Sequence, residues 1–375
     1  MAAKPSPISE FKRAISPIPE IIEEAREGRM FVLVDAEDRE NEGDLVIPAQ
    51  FATPAQVNFM AKHGRGLICL ALTAERTAVL GLTPMSPRNQ ARLGTAFTVS
   101  IEAKEGISTG ISAADRAHTI AVAIDAGKTA DDIVSPGHVF PLMARDGGVL
   151  VRAGHTEASV DIARHAGLNP SAVICEIMND DGSMARLPEL VAFAQYHNLK
   201  IGAIEDLIAY RRANDRFLDR LHEGAFATRV GSDFRLVVFR NRLDGVEHAA
   251  LLKGEITPDK PTLVRVHRVD FAADVMGGYG ERAGMIDKAL GEIEAEGAGV
   301  LVLLRDLVAN AISRRLKGEP AELEYDDELR VIGLGSQILR ELGVGRMIVL
   351  ANAPQKLVGL EGYGLSIDGW RAFKP

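Results

Sequence analysis

Glu37, Asp38, Glu40, Glu42 and Asp44 crowd the stretch "VDAEDRENEGDLVIP", directly behind the apolar run "MFVLV". If this stretch continues an extended strand, Glu40, Glu42 and Asp44 alternate onto one side. Convergent carboxylates suit a hard divalent cation such as Mg²⁺, which takes oxygen ligands, keeps several waters and needs only one or two protein carboxylates. A solvated acidic loop would use the same residues. A second stretch, "RDGGVLVRAGHTEASVDIARHAG", sets Arg152, His155 and Thr156 between a predicted strand and a predicted helix. Free N–H groups and the positive dipole end at a helix start hold anions, and an arginine adds a forked donor for phosphate. Capping of the helix by Thr156 or His155, with Arg152 in solvent, is the alternative.

Three further residues carry potential chemistry. Glu176 interrupts the apolar run of "AVICEIMNDDG", where burial would raise its pKa and fit it for proton transfer; the exposed face of a strand would hold it equally well. His138 sits in "SPGHVFPL", whose Pro and Gly read as a loop that keeps the histidine structural. In "STGISAADR", Ser112 and Asp115 have the spacing of a helix capping box, while Ser108 and Thr109 offer hydroxyls to a phosphate.

Positioning these groups requires alternating elements. Strands are predicted at "RMFVLVDA", "GLICLAL", "AFTVSIEA", "GVLVRAG" and "AVICEIM", and helices at "IPEIIEEAREG", "AADRAHTIAVAIDAG", "TEASVDIARHAG" and "LPELVAFAQYHN". The pattern reads as mixed α/β or α+β. It restarts after the charged segment "AYRRANDRFLDRLHEGAF", which is expected to be a partly helical connector. The expected division is therefore a domain over 1–212, a linker over 213–230 and a smaller α/β domain over 231–375. No fixed-period repeat or low-complexity segment interrupts it.

The bulk numbers agree with two soluble domains. A chain of 375 residues exceeds the size at which one core keeps growing. Its net charge of -9 argues against nucleic acid as a partner, and 46% hydrophobic with 25% charged residues is an ordinary globular balance. Only Cys69 and Cys175 occur, too few for a disulfide framework or a thiolate-rich zinc site. No apolar run approaches the ~20 residues that span a bilayer, and the N-terminal stretch lacks a signal-peptide core, so a cytoplasmic location without membrane partners is expected.

Taken together, "DAEDRENEGDLVIPA", "HGRGLICLAL", "TGISAADRAHTI", "PGHVFPLMARDGGVLVRAGHTEASVDIARHAGL" and "CEIMNDDGSMAR" resemble 3,4-dihydroxy-2-butanone 4-phosphate synthase of riboflavin biosynthesis. The resemblance implies a homodimeric α+β domain, a mixed sheet sandwiched by helices, that uses Mg²⁺ or Mn²⁺ to convert D-ribulose 5-phosphate into the four-carbon product and formate. By position it implies that Glu40 and His155 bind metal. Arg39 and Asp44 would hold sugar hydroxyls, and the run Arg152, Ala153, Gly154, His155 and Thr156, with Glu176, would hold the phosphosugar. His138 and Glu176 would be essential for catalysis, and Glu42 and Cys69 would line the site. The family reaction removes the carbon 3 proton, expels the carbon 1 hydroxyl, joins carbon 3 to carbon 5 and releases carbon 4 as formate. Each step moves a proton beside an oxyanion, work suited to Glu, His and a Lewis-acidic ion.

The C-terminal part, through "TLVRVHRVDFAAD", "GLGSQILRELGV" and "LANAPQKLVGLEGYGL", resembles GTP cyclohydrolase II. That family binds catalytic zinc through three cysteines, whereas the matching positions here are Asp270, Glu281 and Ala283. Its GTP-contacting "EGR" stretch aligns with Leu307, Val308 and Ala309, although Arg330 and Glu328 keep much of a second motif. Carboxylates replace three thiolates poorly and alanine binds no metal, so no zinc and no GTP chemistry are expected of this domain.

Overall fold

The computed structural model describes residues 14–90, 94–276, 284–305, 313, 317, 325–352 and 360–373, the side chains of 213, 325–331 and 361–362 excepted. The chain divides into two compact units, Met1–Arg211 and Arg212–Pro375. Among the described residues no helix is long and apolar enough to cross a membrane.

The first unit is built on seven strands: β1 (Phe31–Val34), β2 (Gly43–Pro48), β3 (Cys69–Leu72), β4 (Ile101–Ala103), β5 (Ile133–Met143), β6 (Ala172–Glu176) and β7 (Ile201–Ala203). They form one mixed sheet in the order β4-β5-β3-β6-β2-β1-β7. Its central strands are apolar at almost every position because both faces are covered. Along β1, Phe31 and Leu33 enter one core and Val32 and Val34 the other; Val46 opposes Leu45 and Ile47 in the same way along β2. Helices Ile18–Arg26, His155–His165 and Ile204–Asn214 cover the first face through Ile21, Ile162 and Leu207. Helices Pro54–Phe59, Ala113–Ile124 and Leu187–His197 cover the second through Val57, Ile120 and Leu190. At about 1.5–3 kcal/mol for each fully buried aliphatic side chain, these two cores dominate the unit's stability.

The second unit has its own sheet, from β8 (Leu218–Phe226), β9 (Phe234–Asn241), β10 (Glu247–Lys253), β11 (Pro261–Arg268), β12 (Gly299–Leu304), β13 (Arg346–Leu350) and β14 (Ser366–Arg371). The order is β14-β13-β11-β12-β10-β9-β8. Val264 and Val302 face the helix Tyr325–Glu341, while Leu263 and Leu301 face the helix Met285–Glu296. Two smaller helix-covered sheets make the whole chain α+β, as expected.

Three local expectations differ. The linker expected over 213–230 is largely β8, paired antiparallel with β9, and only the end of Ile204–Asn214 is helical. The predicted strand "GVLVRAG" is instead a tight turn with a short 3-10 segment, Gly148–Leu150. Gly147 and Gly148 there both have positive φ, of 91° and 63°, conformations open to glycine and closed to a regular strand. Conversely, "SPGHVFPL" lies within β5 and is not a free loop. The strand tolerates Pro136 because its pairing with β4 slips: Ile101 faces Val139 while Glu102 faces Val134, so 135–138 bulge out of the ladder.

Candidate active site

One end of the first sheet gathers the charged residues. Asp44 pairs with Glu176 across β2 and β6, and Cys69 pairs with both Ile174 and Phe140. Glu176 and His138 each lie two residues beyond those partners, toward the same end of the sheet, with His138 in the bulged part of β5. One strand, β3, separates β5 from β6. The helix His155–His165 covers that face and starts at that end, for the His155 Nε2 lies 3.2 Å from the Leu33 carbonyl.

The acidic stretch does not run extended. Residues 37–40 form a turn, Asn41 adopts a left-handed φ of 55°, and only Asp44 lies in β2. Asp35, absent from the expected site, organises this turn. Its carboxylate accepts the backbone N–H of Glu42 (2.9 Å) and of Glu40 (3.2 Å), and pairs with Arg39 (2.7 Å). Arg39 also pairs with Glu40. From the far side Arg186 donates to the backbone carbonyls of Glu40 (2.8 Å) and Asn41. The turn brings Glu40 back over the helix start, so that ligand atoms of Asp35, Glu40 and His155 lie within 4.8 Å of one another. Two ligands on one Mg²⁺ ion stand at most about 4.2 Å apart, so small side-chain rotations suffice to close such a site.

The tautomer of His155 leaves it a lone pair to offer. A carbonyl only accepts, so Nε2 carries the proton toward Leu33, and Nδ1 turns its lone pair to Glu40 Oε2, 3.9 Å away. Burial holds the His155 pKa below its ordinary value, which keeps the ring neutral, as metal ligation requires. The acids are pushed the other way. Burial first, then Glu176, Glu42, Glu40 and Asp35, drive the Asp44 carboxyl well above the usual range. Burial and Glu40 raise Glu42. The site thus holds more negative charge than its arginines neutralise, a condition that a cation relieves.

Beside the acids lies the start of the helix His155–His165. Gly154 is the N-cap of His155–His165 and no side chain caps the helix, so neither Thr156 nor His155 performs the capping expected as an alternative. A Cβ on Gly154 would collide with Arg152 and come within 3.0 Å of Arg39 Nη2, so both guanidinium groups border the open helix end. Arg152 is not a solvated arginine: it pairs with Glu157 at 2.6 Å and Thr95 at 3.1 Å. His155 and Thr156 are buried, and Ala153 is exposed on the turn.

Glu176 is held by the N–H of Leu67 at 2.8 Å, on a loop where Gly66 approaches so closely that a Cβ would strike the carboxylate. Cys69 is buried beneath it; burial, followed by the charge of Glu176, keeps it a thiol. The Cys175 thiol is likewise pushed up to about 12, mainly by burial. Ser112 caps the helix Ala113–Ile124 as expected, but the buried Asp115 carboxylate accepts from the Ser108 hydroxyl (2.8 Å) and the Gly110 N–H (3.0 Å) in place of the Ser112 N–H. Ser108 is committed to that contact, and Thr109 is exposed. His138 pairs through Nδ1 with Glu102, a second residue that sequence reasoning missed. Alternation along a short strand carries no sign of either Asp35 or Glu102 as a functional group.

In the second unit, Asp270 caps the segment Phe271–Val275 by accepting the N–H groups of Ala272 and Ala273 at 3.0 and 3.2 Å. His267 is buried against Asp274, 2.8 Å away. Glu281, Ala283, Leu307, Val308 and Ala309 lie outside the described residues, as do the side chains of Glu328 and Arg330.

Sheet, helix layers and end-of-sheet acid cluster together define an α+β domain whose acidic residues gather beside an uncapped helix start. Comparison with known proteins makes the class specific. Residues 19–210 match the family model of 3,4-dihydroxy-2-butanone 4-phosphate synthase, and residues 219–372 match that of GTP cyclohydrolase II. A 3,4-dihydroxy-2-butanone 4-phosphate synthase of Pseudomonas aeruginosa is 46% identical over 94% of this chain and 98% of its own length. The crystal structure of RibBX, a two-domain 3,4-dihydroxy-2-butanone 4-phosphate synthase from A. baumannii, aligns over 95% of this chain and 100% of that one, with TM-score 0.72 and 41% identity. A synthase crystallised with two magnesium ions aligns over 54% of this chain and 99% of its own, with TM-score 0.52 and 42% identity. The chain belongs to the 3,4-dihydroxy-2-butanone 4-phosphate synthase family, an enzyme family of riboflavin biosynthesis.

Proposed function

We propose that the first domain converts D-ribulose 5-phosphate into 3,4-dihydroxy-2-butanone 4-phosphate and formate, with Mg²⁺ or Mn²⁺ as cofactor, and acts as a homodimer. The observation that carries this reading is the convergence of Asp35, Glu40, Asp44, His155 and Glu176 beside an uncapped helix flanked by Arg39 and Arg152. The helix end and Arg152 hold the phosphate through N–H donors. Arg39 and Asp44 hydrogen-bond the sugar hydroxyls. Asp35, Glu40 and His155 would hold the metal, which supplies Lewis acidity at the sugar oxygens.

Glu176 and His138 move the protons. Leu67 fixes one oxygen of Glu176 and leaves the other to take the carbon 3 proton. His138, one strand away at the same sheet end, takes up a proton and returns it to the leaving hydroxyl. The acid turn, clamped by Arg186 on one side and Asp35 on the other, keeps water from the reactive enediol.

The second domain is read as having lost GTP ring opening. No cysteine follows Cys175, Asp270 spends a carboxylate oxygen on capping, and the His267 ring is wholly buried against Asp274. The match to the GTP cyclohydrolase II model favours the second reading, a bifunctional enzyme acting on GTP or another nucleotide. One experiment separates the two: the purified chain is given ribulose 5-phosphate or GTP, with and without EDTA, and formate is measured. Formate from ribulose 5-phosphate alone, abolished by EDTA and restored by Mg²⁺, is expected. Full activity in EDTA would remove the metal role of Glu40 and His155.

A further inference from the structure

The contact between His138 and Glu102 is enforced by the backbone on two sides. Residues 135–138 bulge from β5 toward β4, and Gly137 lies so close to Ile101 and Glu102 that a Cβ would collide with their backbone. Its N–H donates to Ser100 Oγ at 3.1 Å. Gly110, held at a φ of 83°, closes over the pair: a Cβ there would collide with Glu102 Oε1 and sit 2.8 Å from His138 Nδ1. Asp115 fixes this approach by accepting the Gly110 N–H at 3.0 Å. The two partners differ in exposure, Glu102 at 15% and the His138 ring at 45%, so the acid is walled in and the ring's other edge faces out.

We propose that Glu102 is a positioning residue for His138: it accepts the Nδ1 proton, fixes the ring orientation and leaves the Nε2 lone pair as the proton acceptor that faces substrate. This inference rests on the reading of His138 as a proton carrier. A carboxylate accepts and never donates when ionised, so a ring seated against it must present N–H on that side. The opposite tautomer would set a lone pair against Glu102 and turn an N–H outward, where it could not take a proton. The same logic gives the buried acid of a hydrolase triad its effect on the neighbouring histidine. Two close glycine contacts and a bulge around one side-chain pair are more constraint than a solvated strand residue needs.

The test uses the full chain labelled with ¹⁵N-histidine, together with steady-state formate release. In the parent, the resonance that disappears in His138→Ala should show Nδ1 protonated and Nε2 unprotonated in the neutral ring. Glu102→Gln, whose amide can donate as well as accept, should mix the tautomers and lower kcat about tenfold or more, with KM within about twofold. Glu102→Asp keeps the charge and should restore the parent tautomer and part of the lost kcat, a rescue that a purely structural role would not give. Parent-like tautomer and kcat in Glu102→Gln, while His138→Ala is inactive, would overturn the role of Glu102 alone. Parent-like turnover in His138→Ala would overturn the reading of His138 and this inference with it.

Discussion

Asp44 sits in a fully buried strand with Glu176 as its cross-strand partner, and its carboxyl is driven well above the usual range by burial and by four neighbouring acids. Its folded-state midpoint therefore lies above the unfolded value of about 3.9. The unfolded chain releases this proton first, so stability falls as pH rises from that value through the folded midpoint, and the cost is complete above it. Asp44→Asn removes an ionisable group, and in EDTA at pH 7.5 it should raise Tm by a few °C while abolishing turnover. The Tm difference should shrink as pH is lowered toward 5; a variant no more stable than the parent at pH 7.5 would contradict this. For the proton carriers, Glu176→Gln and His138→Ala should each lower kcat by about 10²–10⁴ with smaller effects on KM, because they act on the transition state. A change confined to KM would remove them from proton transfer. An acid inside an apolar run, such as Glu176, and a crowd of acids, such as the one that ends in Asp44, stand out in the sequence. Asp35 and Glu102 do not, because their importance comes from partners four to thirty-six positions away.

Elements are legible when one period dominates, and fail where glycine or proline bends the chain. The helices at 18, 113, 155 and 187 begin at their predicted residues to within one position. The turn that carries Arg152 could not be read, because its apolar residues look like a strand until Asp161 is placed. Asp161 accepts the Val149 N–H at 2.8 Å and pairs with Arg211 at 2.6 Å, while Arg211 also donates to the Gly147 carbonyl at 2.8 Å. Burial raises the Asp161 pKa even with Arg211 beside it, so desolvation outweighs pairing here. Removing one partner of such a pair costs more than the pair itself contributes. Arg211→Ala should therefore destabilise the first unit by about 3–5 kcal/mol in urea unfolding and raise KM by loosening the turn before Arg152. An unchanged midpoint would show that the pair does not organise this turn.

At the scale of the whole chain, two domains and the α+β class follow from length and from the restart of the pattern, and each unit indeed has its own two-sided sheet. The connector reads as a linker because β8 is an edge strand whose residues are mostly exposed, with Asp219, Arg220 and Glu223 among them, a pattern that protects sheet edges. What the second domain does is the larger question, and it turns on ligand count. A catalytic zinc needs about three protein ligands and an open position for water. Of the family's metal positions, Asp270 is the one within the described residues, and its Oδ1 already accepts two N–H groups; the nearby His267, 0% exposed, is turned to Asp274. Recruiting either to a metal would uncap Phe271–Val275 or break a buried pair, and each change opposes metal binding energetically. Metal analysis of the purified full chain should accordingly find well under one zinc per chain, and GTP should release no formate. One tightly held zinc per chain, with GTP-dependent formate that disappears in Arg330→Ala, would instead establish the second domain as a working cyclohydrolase.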